Sequence, residues 1–259
     1  MRHQVNGITL NVSERGSNDS PSNNPALIFL HYFGGSSREW SAVIDQLGND
    51  YRCVAPDLRG FGESDAPATY AVSDYADDVA ALIDKLQLDR FILVGHSMGG
   101  KIALALAARR LRGLVSLILL APSPPTPEPI TDEERARLLA GFGKRSEAEA
   151  TIRKITARPF APALFEQAIE DNLRSSGAAW RAWLEDGSRE DISGEMSKIE
   201  TPALVAVGAE DKGITTSLLE REILGHISQA RLTVIPEAGH LLPLEASVTI
   251  AQLIQEPPR

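Results

Sequence analysis

Short apolar runs alternate with longer segments that carry helical stripes through most of the chain. Ala26-Leu-Ile-Phe-Leu30, Cys53-Val-Ala55, Phe91-Ile-Leu-Val94, Leu114 to Leu120, Ala203-Leu-Val-Ala-Val207 and Leu232-Thr-Val-Ile235 are too short for stable helices. They show little polar alternation, the pattern of strands buried on both faces. Between them, 39–47, 74–86, 98–111, 216–224 and 244–254 read as helices. In 74–86 the apolar positions are 75, 79, 82, 83 and 86, one face of a 3.6-residue period. Ser37 is the expected cap of the first helix. Val5 to Val12 alternates like a single strand, and the polar stretch 16–25 connects it to the next. Strands and helices in alternation predict a mostly parallel sheet wound by right-handed crossovers.

The rhythm stops at Ala121-Pro-Ser-Pro-Pro-Thr-Pro-Glu-Pro129, where proline forbids both helix and strand. From Thr131 to about Gly187 only helical patterns follow. Thr131 with Glu134, and Ser146 with Glu149, have the spacing of capping boxes. Leu164, Phe165, Ala168, Ile169 and Leu173 form one stripe; Trp180, Trp183 and Leu184 form another. The pattern predicts an α/β core from 1–122 and 195–259. A helical cap, 123–194, is inserted before the last two strands.

Composition narrows the class of function. The 259 residues are 43% hydrophobic and 24% charged, as expected of a soluble globular chain. A net charge of −9 without a basic run argues against a nucleic-acid partner or an anionic membrane surface. No apolar stretch approaches 18 residues, and the amino terminus alternates instead of forming the apolar block of a leader peptide. Cys53 is the only cysteine, so no internal disulfide forms. It reads as an inert buried thiol, and a cytoplasmic location is the expectation. There is no G-x-G-x-x-G, phosphate loop or metal-ligand cluster, so neither a cofactor nor a metal is expected. Monomer and homodimer are both compatible with the sequence.

Gly95-His96-Ser97-Met98-Gly99 falls between a predicted strand and a predicted helix. A serine at such a turn needs a strained backbone and close neighbours, and the flanking glycines, with Gly100, give room for both. A serine hydroxyl also needs an adjacent base. Of the five histidines, His240 follows the last strand, where a loop can reach Ser97. His3 and His226 read as surface residues, and His96 as packing. Asp211, just past the penultimate strand, is the candidate that orients the imidazole, with Glu210 competing. The oxyanion of an acyl-transfer intermediate needs two amide donors. Met98 N–H is one, and Phe33 N–H, in the loop after Leu30, is the expected other; a simple glycine turn is the alternative there.

Together these residues resemble the α/β-hydrolase superfamily. The likeness runs from the His31–Gly35 loop through Ala55-Pro-Asp-Leu-Arg-Gly-Phe-Gly-Glu-Ser64, the Ser97 turn and Asp211 to Ala238-Gly-His240. It implies an eight-stranded, mostly parallel sheet flanked by helices, and the chain order Ser, acid, His. It also implies that Asp57, Arg59, Gly60, Gly62 and Ser64 brace the loop beside the site. Tyr32 stands where the family usually has glycine. The short capped members it resembles include esterases, lactonases, C–C hydrolases and cofactor-free haloperoxidases; Ser97 argues against the dehalogenases and epoxide hydrolases, which carry Asp there.

The leading expectation is hydrolysis of a small carboxylic ester or lactone through an acyl-enzyme. C–C bond hydrolysis of a diketone-type substrate, or haloperoxidase/perhydrolase chemistry, would use the same residues. A small-ligand receptor is the non-enzymatic alternative. Tyr32, Phe142, Trp183 and Leu241 are the candidate substrate contacts.

Overall fold

The computed structural model describes residues 1–16 and 24–258, so most of the polar connection at 16–25 lies outside the described residues. Eight strands are found among the described residues: β1 (Arg2–Val5), β2 (Ile8–Arg15), β3 (Ala26–Leu30), β4 (Cys53–Pro56), β5 (Phe91–His96), β6 (Leu114–Leu120), β7 (Ala203–Gly208) and β8 (Ala230–Ile235). They form one sheet in the order β1-β2-β4-β3-β5-β6-β7-β8. The first two pairings are antiparallel and the rest parallel. β3, β4, β5 and β7 are buried along their whole length, as unbroken apolar runs require.

The amino terminus is a hairpin and not the single strand expected over 5–12. Asn6 and Gly7 both have positive φ, 47° and 79°, and reverse the chain between β1 and β2. That Asn-Gly pair was a readable hairpin signal masked by the alternation on either side. Helices α1 (Ser41–Leu47), α2 (Val72–Lys85) and α3 (Met98–Ala108) follow their strands. A 3₁₀ turn, Ser37–Trp40, precedes α1, and its cap is Ser36, whose hydroxyl accepts from Arg38 N, instead of Ser37.

Four helices lie between β6 and β7: α4 (Asp132–Gly141), α5 (Arg145–Ile155), α6 (Pro162–Arg174) and α7 (Gly177–Glu185). Thr131 caps α4 through Glu134 N. Ser146 caps nothing, because α5 already begins at Arg145. This insertion is not packed as a uniform layer. Ala179 and Trp183 of α7 belong to the main core. Helices α5 and α6 instead share a smaller apolar cluster with Tyr32, Leu241 and Leu244. Lys101 of α3, fully buried, donates to Thr126 O (3.3 Å) and Glu190 O (2.5 Å). One ammonium therefore ties the entry of the insertion to its exit.

After β7 come α8 (Thr216–Leu219), continued by a π-helical turn at Glu220–Leu224, then α9 (Leu242–Glu245) and α10 (Ser247–Gln255) after β8. The single last helix expected from 244 is thus two pieces that start earlier. Packing of α1 on α10 and of α2 on α3 completes the flanking helices.

Candidate active site

Sheet register brings the site together. In the parallel β3–β5 pair, Leu30 lies opposite Gly95, so the next residues of each chain leave the sheet side by side. Tyr32 and Phe33 emerge on one side, Ser97 and Met98 on the other. Asp211 follows β7 and His240 follows β8, at the same carboxyl edge.

Ser97 has φ 51° and ψ −115°, a strained conformation for a residue with a side chain. The surroundings enforce it. A Cβ on Gly95 would lie 2.5 Å from Gly99 O, and one on Gly100 2.5 Å from Pro122 Cβ. A Cβ on Gly99 would strike the backbone of Leu30. Neighbouring segments can approach the turn only because these three positions lack side chains.

His240 Nε2 is 2.9 Å from Ser97 Oγ, and its Nδ1 is 2.7 Å from Asp211 Oδ2. A carboxylate only accepts, so Nδ1 carries the proton and the neutral ring offers its Nε2 lone pair to the hydroxyl. Asp211 Oδ1 accepts from Gly213 N (2.9 Å) and Ile214 N (3.0 Å). Burial works to raise the Asp211 pKa, but the His240 hydrogen bond and charge, with those two amides, hold it below the ordinary value. For His240, burial works to lower the pKa, and the Asp211 bond and charge outweigh it, so the net shift is upward. Glu210 is exposed and makes no side-chain bond to His240.

The amides of Phe33 and Met98 donate to no protein acceptor among the described residues. Phe33 is fixed by its ring, which lies 4.3 Å from the Trp180 ring at a tilt of 36° and packs edge-on against Phe61. The brace beside this loop centres on Asp57, which accepts from Ser37 N (2.7 Å), Glu63 N (2.8 Å) and Asn11 Nδ2 (2.9 Å). A Cβ on Gly62, at φ 56°, would strike that carboxylate. Arg59 grips Asp78 through Nε (2.6 Å) and Nη2 (2.7 Å).

A cavity of about 500 Å³ opens on Ser97 and His240. Its walls come mostly from the insertion, with Ile130, Leu138, Thr151 and Ile155, and from Asp211 to Ile214 on the other side. Tyr32, Phe142, Trp183 and Leu241 are not among its lining residues. Tyr32 and Leu241 are buried in the α5–α6 cluster, Trp183 is in the main core, and Phe142 packs on Trp180 at 5.6 Å. Aromatic character and proximity to the motifs pointed to these four, but their size placed them in the seams between layers. Nothing local distinguished the smaller residues that do face the cavity.

Among the other histidines, His226 is exposed as expected, whereas His3 is half-buried and bonds Glu14 across the hairpin at 2.9 Å. His96 does more than pack: its two ring nitrogens contact Glu39 and the His240 carbonyl. Cys53 is buried in β4, which pushes its thiol up to about 12. Arg153, Lys154 and Arg158 are engaged by the Phe165 ring, Glu134 and Glu237 respectively.

A family model described as the alpha/beta hydrolase family matches residues 27–253. The chain belongs to that family of hydrolases. Among its relatives, the 2-(acetamidomethylene)succinate hydrolase of Mesorhizobium japonicum is 29% identical over 254 residues, 92% of this chain and 87% of the relative. The solved structure of an esterase from Exiguobacterium antarcticum superposes with a TM-score of 0.89 at 23% identity, covering 98% of this chain and 97% of that one. A thermophilic esterase from Thermogutta terrifontis superposes at 0.81 with 27% identity, covering 99% and 97%. No helix among the described residues is long and apolar enough to cross a membrane.

Proposed function

We propose that this chain is a serine hydrolase that cleaves a small carboxylic ester or lactone through an acyl-enzyme. The observation that carries the reading is the continuous line from Ser97 Oγ through His240 to Asp211, set on a strained strand-to-helix turn. Ser97 Oγ attacks the ester carbonyl as its proton passes to His240 Nε2. The oxyanion is held by Met98 N–H, at the positive end of α3, and Phe33 N–H. The intermediate collapses, the carbon–oxygen bond to the alcohol breaks, and His240 returns the proton to that alcohol. Water then attacks the acyl group, again giving a proton to His240, and Ser97 leaves with it. Asp211 keeps the ring in the required tautomer and stabilises the imidazolium.

The test is covalent. A fluorophosphonate should stop turnover of p-nitrophenyl acetate at one equivalent, with the added mass on the peptide containing Ser97. Turnover that persists after stoichiometric labelling, or label on another residue, overturns the reading.

The 123–194 insertion acts in this reading as the selector, since it supplies much of the cavity wall and none of the reacting groups. Leu138 is half-buried on α4 and faces the cavity. Leu138→Ala should alter kcat/KM for p-nitrophenyl hexanoate relative to acetate by about 1–3 kcal/mol, the scale of a lost apolar contact. An unchanged ratio would remove Leu138 from the specificity wall.

A further inference from the structure

Behind Ser97 and His240 lies a buried polar chain that the proton transfers described above leave unused. His96, the residue before Ser97, has Nδ1 3.2 Å from Glu39 Oε1 and Nε2 2.8 Å from the His240 carbonyl. Glu39 stands on the 3₁₀ turn after the oxyanion loop, and its Oε2 accepts from Tyr32 N at 3.3 Å. His96 is 0% and Glu39 3% exposed, so bulk solvent reaches neither.

Counting donors fixes the direction of the chain. The His240 carbonyl only accepts, so His96 Nε2 carries a hydrogen. The Tyr32 amide only donates, so Glu39 Oε2 accepts. A second proton must then sit between Oε1 and Nδ1, or two lone pairs would face each other. Burial favours the uncharged arrangement. It pushes Glu39 up to about 8 against the pull of His31 and the Tyr32 amide, and pushes His96 down to about 3.

We propose that Glu39 and His96 are positioning residues, holding one proton between them so that a single carboxyl group aligns the backbone of His240 with the oxyanion loop beside Phe33. The proposal rests on the reading of Ser97, His240 and Asp211 as the reacting groups. Other titratable groups face the pair without supplying that proton. His31 Nδ1 donates to Tyr32 O (2.8 Å), and its Nε2 accepts from Leu58 N (3.0 Å), so both nitrogens are occupied. The Tyr32 phenol belongs to the α5–α6 apolar cluster, and burial raises its pKa well above the ordinary value. Asp171 of α6 is held by Arg38. On the His96 side stand His240, Asp211 and Glu245, and Glu245 is engaged by the amides of Ala157, Gly239 and Leu241. When alkali removes the shared proton to solvent, the remaining hydrogen is drawn to Nδ1 to meet the carboxylate. The bare Nε2 then faces the His240 carbonyl, and the chain breaks at the base.

Two measurements test this: kcat against pH for p-nitrophenyl acetate, and ¹⁵N NMR of the histidine rings in folded Ser97→Ala protein. Wild-type kcat should decline above about pH 8, where Glu39 ionises. Glu39→Gln can donate its amide N–H to Nδ1 and accept from Tyr32 without titrating. It should lower neutral kcat by a few-fold with KM little changed, and it should lose the alkaline decline. Glu39→Leu, which leaves both partners unpaired, should cost roughly 10²-fold in kcat if folded, the scale of a displaced reacting group. The NMR spectrum should show His96 neutral and protonated on Nε2 between pH 5 and 7. A wild-type profile flat to pH 10, the same decline in Glu39→Gln, or a proton on Nδ1 of neutral His96 would overturn the proposal. Because the spectrum is recorded on protein that turns nothing over, its outcome is separate from failure of the esterase reading.

Discussion

Ser97→Ala should reduce ester turnover by at least about 10⁴-fold while leaving the fold intact, as expected when a nucleophile is removed and only binding and oxyanion contacts remain. The protein should tolerate the change because Ser97 Oγ makes its one side-chain bond to His240. The backbone bonds of the turn, from Ser97 N to Leu120 O and from Gly100, Lys101 and Ser123 amides to Ser97 O, involve no side chain. Alanine also meets the positive φ at the same steric cost as serine. Circular dichroism and thermal unfolding should therefore match wild type. A folded variant retaining more than a few per cent of kcat would exclude Ser97 as the nucleophile.

Asp211→Asn should lower kcat by roughly 10⁴-fold, and the structure gives the reason. The Gly213 and Ile214 amides will hold the asparagine carbonyl oxygen where Oδ1 now sits, which turns the amide NH₂ toward His240. Facing a donor, the imidazole must place its proton on Nε2, so it offers Ser97 a hydrogen instead of a lone pair. The pH profile adds a second readout. In the proposed mechanism turnover needs neutral His240, so activity should fall as pH drops through its pKa, which Asp211 raises above the ordinary value. Without the Asp211 charge, the residual activity should have its acid limb at lower pH. Glu210→Gln should stay within a few-fold of wild type; the reverse pattern would transfer the orienting role to Glu210.

Much of the candidate site was legible because its requirements are local. A strained serine between strand and helix needs small residues at fixed offsets, and Gly95, Gly99 and Gly100 supply them. An acid after one strand and a histidine after the next reach the same edge because parallel strands deliver their carboxyl ends together. Errors in the elements were also local. Ser36 and Ser37 are equally good caps on paper, and only the path of the chain in the loop after β3 selects Ser36. Asn6-Gly7 lost to the stronger alternation around it.

The sequence by itself determined the alternation of elements and the proline-marked insertion, and it singled out Ser97, Asp211 and His240 as candidates, since each leaves a short-range signature in spacing or backbone demand. Tertiary structure decided what surrounds them. Ile130, Leu138 and Ile155 face the cavity while Phe142 and Trp183 do not, because the large rings fill seams between packed layers. Glu39 meets His96 across 57 positions, and His96 meets the His240 carbonyl across 144. A buried carboxyl acquires its partners and its proton only when chain segments that far apart close around it. No pattern along the chain encodes that closure.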